Sequence, residues 1–139
     1  MIKIELNRLN DAYLMEGVNE QGNKVQMDAS PEIGGGNNGM RPMQMLLAAM
    51  GGCSSFDLIN ILKKQRQDLK DIKVTVTGER EKDVMPSLYT AVHAHFRLYG
   101  NLDHDKVEKA LVLAVEKYCS VAKTLEAKAK VTYSFEIIK

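Results

Sequence analysis

The sequence is poor in cysteine, in net charge and in long apolar runs, and each shortage excludes a class of protein. Only two cysteines occur among 139 residues, which excludes the disulfide framework of a small secreted domain. Nineteen basic and eighteen acidic residues leave a formal net charge of +1 without a basic block, so there is no electrostatic footprint for nucleic acid. The longest uncharged stretch, Pro42 to Phe56, is shorter than the roughly 20 apolar residues of a bilayer span. The composition therefore predicts a protein with no nucleic-acid partner and no membrane segment.

The chain does contain enough apolar material for one core. Hydrophobic residues make up 45% of the sequence, which at this length predicts a single domain over residues 1–139 without metal or disulfide staples. The first residues alternate apolar and charged side chains, a pattern that differs from that of a signal peptide. We therefore expect a cytoplasmic protein, in which a bond between two cysteines is transient and either catalytic or redox-sensing.

Period-two patterns and turn residues predict three strands in the first third of the chain. Apolar and charged residues alternate from Ile2 to Leu6, and Asn10-Asp11 and residues 20–23 mark turns before two further strands. The glycine-rich stretch from Ser30 to Met40 follows. Its composition predicts a loop without fixed structure of its own.

A long helix is predicted from Met43 to Lys64. Pro42 suits its first turn, where the missing N–H costs nothing. The first half of the helix is apolar on every face, which indicates burial all round. The pair Gly51-Gly52 costs about 1 kcal/mol per glycine relative to alanine, so it indicates that another backbone approaches closely. We expect a partner helix at this point, and a second subunit is its natural source.

Two strands, two helices and a final strand complete the predicted order. The second strand of a hairpin, Leu88 to Tyr99, turns its apolar residues one way and His93, His95 and Arg97 the other, which predicts a one-sided antiparallel sheet. Apolar residues then recur at helical spacing as far as Cys119, and a short helix precedes a last strand. The order βββ-α-ββ-αα-β predicts an α+β fold.

The two cysteines occupy different settings. Cys53 lies on one helix face with Met50 and Asp57, where a cysteine is most often a structural residue and an anionic neighbour disfavours the thiolate. Cys119 lies where the second helical pattern breaks. If a short helix begins at Ser120, the Cys119 sulfur lies near free N–H groups and the positive end of a helix dipole, which favours its thiolate.

The remaining candidates predict neither a metal nor a bound cofactor. His93 and His95 share one strand face, but a metal site needs at least one further ligand. The glycine run before the long helix lacks the Gly-Lys-Ser/Thr ending of a phosphate loop. Four methionines surround the helix start and serve either as core filler or as an adaptable apolar pocket: Met40, Met43, Met45 and Met50.

Three stretches resemble a known family: GMRPMQMLLAAMGGCS at residues 39–54, VTVTGER at 74–80 and EKYCSVA at 116–122. With them the sequence resembles the OsmC/Ohr family of thiol peroxidases over nearly its whole length, and most of all the small cytoplasmic YhfA-like branch. The resemblance implies an intertwined homodimer, with long central helices back to back and antiparallel sheets built around them from strands of both subunits.

The resemblance also implies a two-cysteine reaction. Cys53 attacks the O–O bond of an organic hydroperoxide and becomes a sulfenic acid, and Cys119 resolves it as a disulfide that an external dithiol reductant reopens. The family activates its first cysteine with a glutamate paired to an arginine. The glutamate position falls on Met43 or Gln44 here, which leaves Arg41 as the candidate activator.

Two other interpretations stay open. In one, the chain is a non-enzymatic dimer of the same fold that binds a small apolar or thiol-reactive ligand at the interface pocket. In the other, the two cysteines are purely structural.

Overall fold

The chain forms six strands and three α-helices in the predicted order, so the α+β prediction is confirmed. The computed structural model describes residues 1–139. They fall into two units, residues 1–46 and residues 47–139.

The first unit contains the predicted three-stranded meander. Strands β1 (Ile4–Arg8), β2 (Met15–Asn19) and β3 (Lys24–Met27) pair in that order and are antiparallel. Asn10 closes the first turn, because its side-chain oxygen accepts hydrogen bonds from the N–H groups of Ala12 and Leu14.

The path of the glycine-rich loop after β3 is determined by hydrogen bonds to Asp28. The carboxylate of this buried residue accepts hydrogen bonds from the N–H groups of Ala29 at 2.8 Å and Asn38 at 3.0 Å. Gly35 is required by close packing, since a Cβ there would lie 2.0 Å from the carbonyl oxygen of Ala29. The loop thus has a defined path, supplied by a residue outside the glycine run.

Helix α1 spans Pro42–Lys64, as predicted. It begins where the Gln44 side chain accepts a hydrogen bond from the Arg41 N–H at 3.0 Å. Two residues after its end at Lys64, Arg66 has a left-handed φ of 57°, and the Gln67 N–H bonds back to Leu62 O. In length and apolar composition alone, α1 meets the criteria for a membrane-spanning helix. The core helices of globular proteins meet the same criteria.

Only one side of α1 is buried in the single chain. Four residues at a spacing of four form that side, and each is fully buried: Met50, Ser54, Leu58 and Leu62. On the other side Phe56 is 70% exposed. The burial all round that the sequence predicts is therefore not reached within the single chain.

The glycine pair of α1 is also used differently from the prediction. A Cβ at Gly51 would lie 3.0 Å from Cγ2 of Val76, so a side chain of the next strand makes the close approach. A Cβ at Gly52 would meet nothing within 4 Å. Within one chain, no second backbone approaches either glycine.

The second sheet is mixed, which corrects part of the prediction. Strands β4 (Asp68–Arg80) and β5 (Tyr89–Asn101) form the predicted antiparallel hairpin, but β6 (Lys130–Ile138) pairs with β5 in parallel. The expectation of purely antiparallel sheets is thus wrong for β6. The reason is that the helices after β5 carry the chain back to the end at which β5 began, as in any parallel crossover.

That crossover contains one irregular helix and one short regular helix. The irregular helix consists of α2 (His104–Leu111) and a π-helical segment (Val112–Tyr118), and α3 (Ser120–Glu126) follows after Cys119. The π segment ends where the Cys119 N–H bonds to Ala114 O at 2.9 Å, five residues back. The predicted second helix therefore exists, but its last turns are wider than those of an α-helix.

The core of the second unit lies on one face of β5, as predicted. Val92, Ala94, Phe96 and Leu98 are fully buried, and His93 and His95 on the opposite face are half-buried. The crossover contributes further fully or almost fully buried residues to this core: Val107, Ala110, Leu111, Ala114, Val115, Cys119 and Ala122.

The acid stability of the fold is predicted to depend on Asp28. A hydrogen bond from the Asn38 backbone lowers the pKa of this carboxyl, against the opposing effect of burial, and the Ala29 and Gly36 backbone and the Arg41 charge lower it further. A carboxyl with a lowered pKa stabilises the fold above its ordinary pKa, and this contribution is lost as the pH falls through the folded value.

We expect Asp28→Asn to be less stable than wild type at neutral pH and to lose less stability on acidification. Urea unfolding followed from neutral to acid pH measures both effects, with the exposed Asp11→Asn as the matched control. Equal acid dependence in Asp28→Asn and wild type would contradict the assignment.

Candidate active site

Cys53 lies in the middle of α1, at the border of its buried side. Its side chain is half-buried, whereas its neighbour Ser54 is fully buried. Helix geometry places Ser54 in line with Met50 and Leu58, one turn before and one turn after it. Cys53 therefore combines access from solvent with a position next to the core.

Cys119 lies at the junction between the π segment and α3. Its backbone is extended, with φ of −71° and ψ of 104°, and it serves as the N-cap of α3. Its sulfur accepts a hydrogen bond from the Ala122 N–H at 3.3 Å. The side chain is fully buried, so the thiol has no direct contact with solvent.

The two cysteines meet. Both cysteines are free thiols, and the Cys53 side chain is close enough to Cys119 to help raise the pKa of the Cys119 thiol. The Ser54 hydroxyl donates to the Cys119 sulfur at 3.2 Å, and the carbonyl oxygen of Met50 lies 4.0 Å from the same sulfur. The site therefore consists of two adjacent thiols and one hydroxyl, positioned by α1 and by the start of α3.

Burial governs the titration of Cys119. Loss of solvent raises the pKa of its thiol, and the neighbouring Cys53 raises it further. The hydrogen bonds from Ser54 and from the Ala122 N–H act in the opposite direction but do not overcome burial. The sequence predicted that the helix N-terminus favours the Cys119 thiolate. This prediction is wrong, because the net effect of the surroundings is to raise the pKa of the thiol. The helix start is present as predicted, and desolvation outweighs it.

Arg41 belongs to the first unit and is engaged there. Its guanidinium donates to Gly39 O at 3.0 Å, and its charge helps to lower the pKa of Asp28. Gln44, one of the two positions that correspond to the family glutamate, accepts the Arg41 backbone N–H and so caps α1. The role of Arg41 as an activator of Cys53 stays a prediction.

His93 and His95 form a hydrogen-bonded ladder on the outer face of the second sheet. His93 lies 2.7 Å from the Thr132 hydroxyl and 2.9 Å from that of Ser134, and His95 lies 2.7 Å from the same Ser134 hydroxyl. His95 is also 3.4 Å from Glu136. All four imidazole nitrogens thus have protein partners, so the ladder accounts for the histidine pair without a metal.

Another group has the spacing of metal ligands, but it is fully on the surface. His104, Asp105 and Glu108 lie in the first turns of α2, and all three are exposed. The imidazole lies 3.6 Å from the Asp105 carboxylate and 3.8 Å from that of Glu108. These surface ion pairs give no reason to assign a metal to the group.

An apolar cavity of about 330 Å³ lies in the first unit. Its lining includes Leu6, Tyr13, Met15 and Met27. It does not include the methionines that the sequence suggested for a pocket, Met40, Met43, Met45 and Met50. Of these, Met50 is fully buried in the core of the second unit, next to Cys119.

Ser54 is the site residue that sequence reasoning missed. The signal was its position in the stripe of Met50, Leu58 and Leu62, since a polar residue in an otherwise apolar buried stripe needs a hydrogen-bond partner. That signal predicts a buried partner for the hydroxyl. It does not identify the partner as Cys119, which is 65 residues away in the sequence.

Comparison with known proteins gives consistent matches over most of the chain. The profile of the OsmC-like protein family matches residues 34–134, which include both cysteines. Protein YhfA of Escherichia coli K12 is 39% identical over 123 residues, which are 88% of this chain and 88% of YhfA.

Solved structures agree. A hypothetical protein from Aquifex aeolicus superposes with a TM-score of 0.84 at 29% identity, over 99% of this chain and 96% of that one. The organic hydroperoxide resistance protein OhrB of Bacillus subtilis superposes with a TM-score of 0.68 at 18% identity, over 98% of both chains. At that identity, the second match indicates a shared fold.

Proposed function

This chain belongs to the OsmC-like protein family, and from that membership we propose that it is a cytoplasmic, cysteine-based peroxidase that reduces organic hydroperoxides. The observation that carries the proposal is the pair of neighbouring free thiols, a half-buried Cys53 on α1 and a fully buried Cys119 whose pKa responds to it. Similarity to a protein named for organic hydroperoxide resistance supports the substrate class.

The proposed reaction has two oxidative steps on the protein. The Cys53 thiol loses its proton, and the thiolate attacks the O–O bond of the hydroperoxide, which breaks to give Cys53 sulfenic acid and an alkoxide. The alkoxide takes up the proton that the Cys53 thiol released and leaves as an alcohol. The Cys119 sulfur then attacks the Cys53 sulfur, and the leaving hydroxide takes up the proton of the Cys119 thiol, so that a disulfide and one water form. An external dithiol returns both thiols to the reduced state by thiol–disulfide exchange.

Exposure supports this assignment of roles. Cys53 is half-buried and can be reached by a small substrate, whereas Cys119 is fully buried and adjoins Cys53. Burial raises the pKa of Cys119, which keeps it a thiol. A neutral, inaccessible thiol is unreactive towards peroxide in solution and is available to a sulfenic acid formed beside it.

A homodimer is part of the proposal. Ala49, Gly52, Phe56 and Ile59 recur at helical spacing along α1, and three of them are exposed while Gly52 is half-buried. Such an apolar stripe on a long helix is typical of a helix–helix interface, and its two small residues allow close approach. The α1 helix of a second copy is the partner that the family resemblance implies.

A second candidate function is the binding of a small apolar ligand without chemistry. The apolar cavity of the first unit favours it, because its lining consists of leucine, tyrosine and methionine side chains apart from Asp28, Ala29 and Pro42. The two functions differ in what they require of the cysteines.

We expect reduced wild-type protein to form a Cys53–Cys119 disulfide when it is mixed with one equivalent of tert-butyl hydroperoxide. Non-reducing peptide mass spectrometry identifies the bond, and a dithiol should reverse it. Cys53→Ser should leave Cys119 reduced, because the first attack is lost. Cys119→Ser should stop at the Cys53 sulfenic acid, which dimedone traps.

Oxidation of wild type no faster than that of free cysteine would contradict the peroxidase proposal. Hydroperoxide-independent binding of an apolar dye, retained when both cysteines are replaced by serine, would then favour the ligand-binding function.

We expect wild type to be a dimer in sedimentation equilibrium and Phe56→Glu to shift it to monomer. The substitution places a charge in the centre of the exposed apolar stripe of α1, where its burial against a partner is costly. Val84 is an exposed apolar residue in the β4–β5 turn, so Val84→Glu is the matched control and should remain dimeric. A Phe56→Glu protein that still dimerises with wild-type affinity would place the interface elsewhere.

A further inference from the structure

Ser54 contacts the Cys119 sulfur in the candidate active site, and the two-cysteine reaction as described assigns no role to this contact. It is a buried polar side chain on α1, adjacent in sequence to Cys53, and its hydroxyl points to the sulfur of Cys119 at 3.2 Å. The Ala122 N–H approaches the same sulfur at 3.3 Å. Two donors from different elements thus converge on one sulfur atom.

We propose that Ser54 is the positioning residue of the resolving step: its hydroxyl holds the Cys119 sulfur against Cys53 and stabilises the negative charge that this sulfur carries as it attacks. This inference rests on the proposed peroxidase function.

The geometry favours a role for the hydroxyl beyond filling space. Cys119 has no fixed place on a regular helix, since it is the extended residue between the π segment and α3. Its sulfur is therefore oriented by its own contacts, which are the Ala122 N–H on α3 and the Ser54 hydroxyl on α1, and the second is the shorter of the two hydrogen bonds. The Met50 carbonyl, at 4.0 Å, is a much weaker contact for the same sulfur.

Charge makes the same hydroxyl important during the reaction. Loss of the Cys119 proton during the resolving step leaves negative charge on a fully buried sulfur, which is unfavourable without donors. Hydrogen bonds to a charged group are stronger than those to a neutral one. The Ser54 and Ala122 donors therefore strengthen as the proton leaves Cys119 for the departing hydroxide, and Ser54 keeps its own proton throughout.

The neighbouring Ser55 offers a matched control on the same helix. Its hydroxyl donates to Gly51 O at 2.6 Å, the preceding turn of α1. It makes a local hydrogen bond of the kind that serines often make inside helices. Ser55→Ala removes one hydroxyl from α1, as Ser54→Ala does, but leaves the Cys119 sulfur with both of its hydrogen-bond donors.

We expect Ser54→Ala to react with tert-butyl hydroperoxide as fast as wild type and to form the disulfide about ten-fold more slowly, the size expected for one lost hydrogen bond to a charged group. Stopped-flow mixing with dimedone trapping should show the Cys53 sulfenic acid accumulating. Ser55→Ala should match wild type in both steps. Disulfide formation in Ser54→Ala at the wild-type rate would overturn the inference.

A second pair of variants separates the hydroxyl from packing. Ser54→Thr and Ser54→Val add the same volume at this buried position and differ only in the donor. If both fold, Ser54→Thr should resolve faster than Ser54→Val. Equal rates would show that Ser54 acts through shape, which also overturns the inference. This comparison holds even if Ser54→Ala is too unstable to study.

A titration that does not require hydroperoxide chemistry distinguishes failure of the inference from failure of the proposed function. In a Cys53→Ser background Cys119 is the sole cysteine, and its thiolate absorbance reports its pKa directly. Ser54→Ala should raise this pKa above that of the background protein, and Ser55→Ala should not. If wild type forms no disulfide but the pKa rises as expected, the peroxidase proposal falls and the Ser54 contact stands. If wild type forms the disulfide and Ser54→Ala leaves the pKa unchanged, the inference alone falls.

Discussion

The second unit depends on one constraint, which is that β5 has a single dry face. Val92, Ala94, Phe96 and Leu98 are fully buried on that face, and the imidazoles of the other face are half-buried among hydroxyls. A strand with this alternation must be covered by helices on one side only. The core formed with α1 and the crossover then removes Cys119 from solvent. The chemistry of the site follows from that burial.

The sequence predicted the parts of the fold that follow from periodicity. Alternation along β5 identified both its faces, and the uninterrupted pattern from Pro42 to Lys64 predicted α1 at its observed length. The direction of β6 could not be predicted this way, because a period of two is the same in parallel and antiparallel strands. The direction of β6 depends on the end of β5 to which the crossover helices return the chain. The π segment was equally undetectable, since seven residues are too few to distinguish a wider helical period from that of an α-helix.

The two cysteines of the site could be predicted from the sequence, but the direction of the Cys119 pKa shift could not. The family resemblance named both cysteines, and the break at Cys119 predicted the start of α3. The sign of the Cys119 pKa shift depends on how completely the crossover covers the sulfur, which is a tertiary property. Ser54 was missed for the same reason: its partner is 65 residues away. Long-range contacts set the reactivity here, and local patterns set only the positions.

Burial of the second cysteine has opposite effects on the two halves of the proposed cycle. In the oxidative half it protects Cys119 from substrate, so only Cys53 meets peroxide. In the reductive half an external dithiol attacks the accessible Cys53 sulfur and expels Cys119, and a thiol with a raised pKa leaves more slowly. A donor that stabilises the Cys119 thiolate lowers the barrier in both directions, because attack and departure pass through the same partial charge on sulfur. The hydroxyl of Ser54 and the amide of Ala122 are therefore placed where one pair of hydrogen bonds offsets the cost of burial in each half, while the thiol keeps the protection that burial provides.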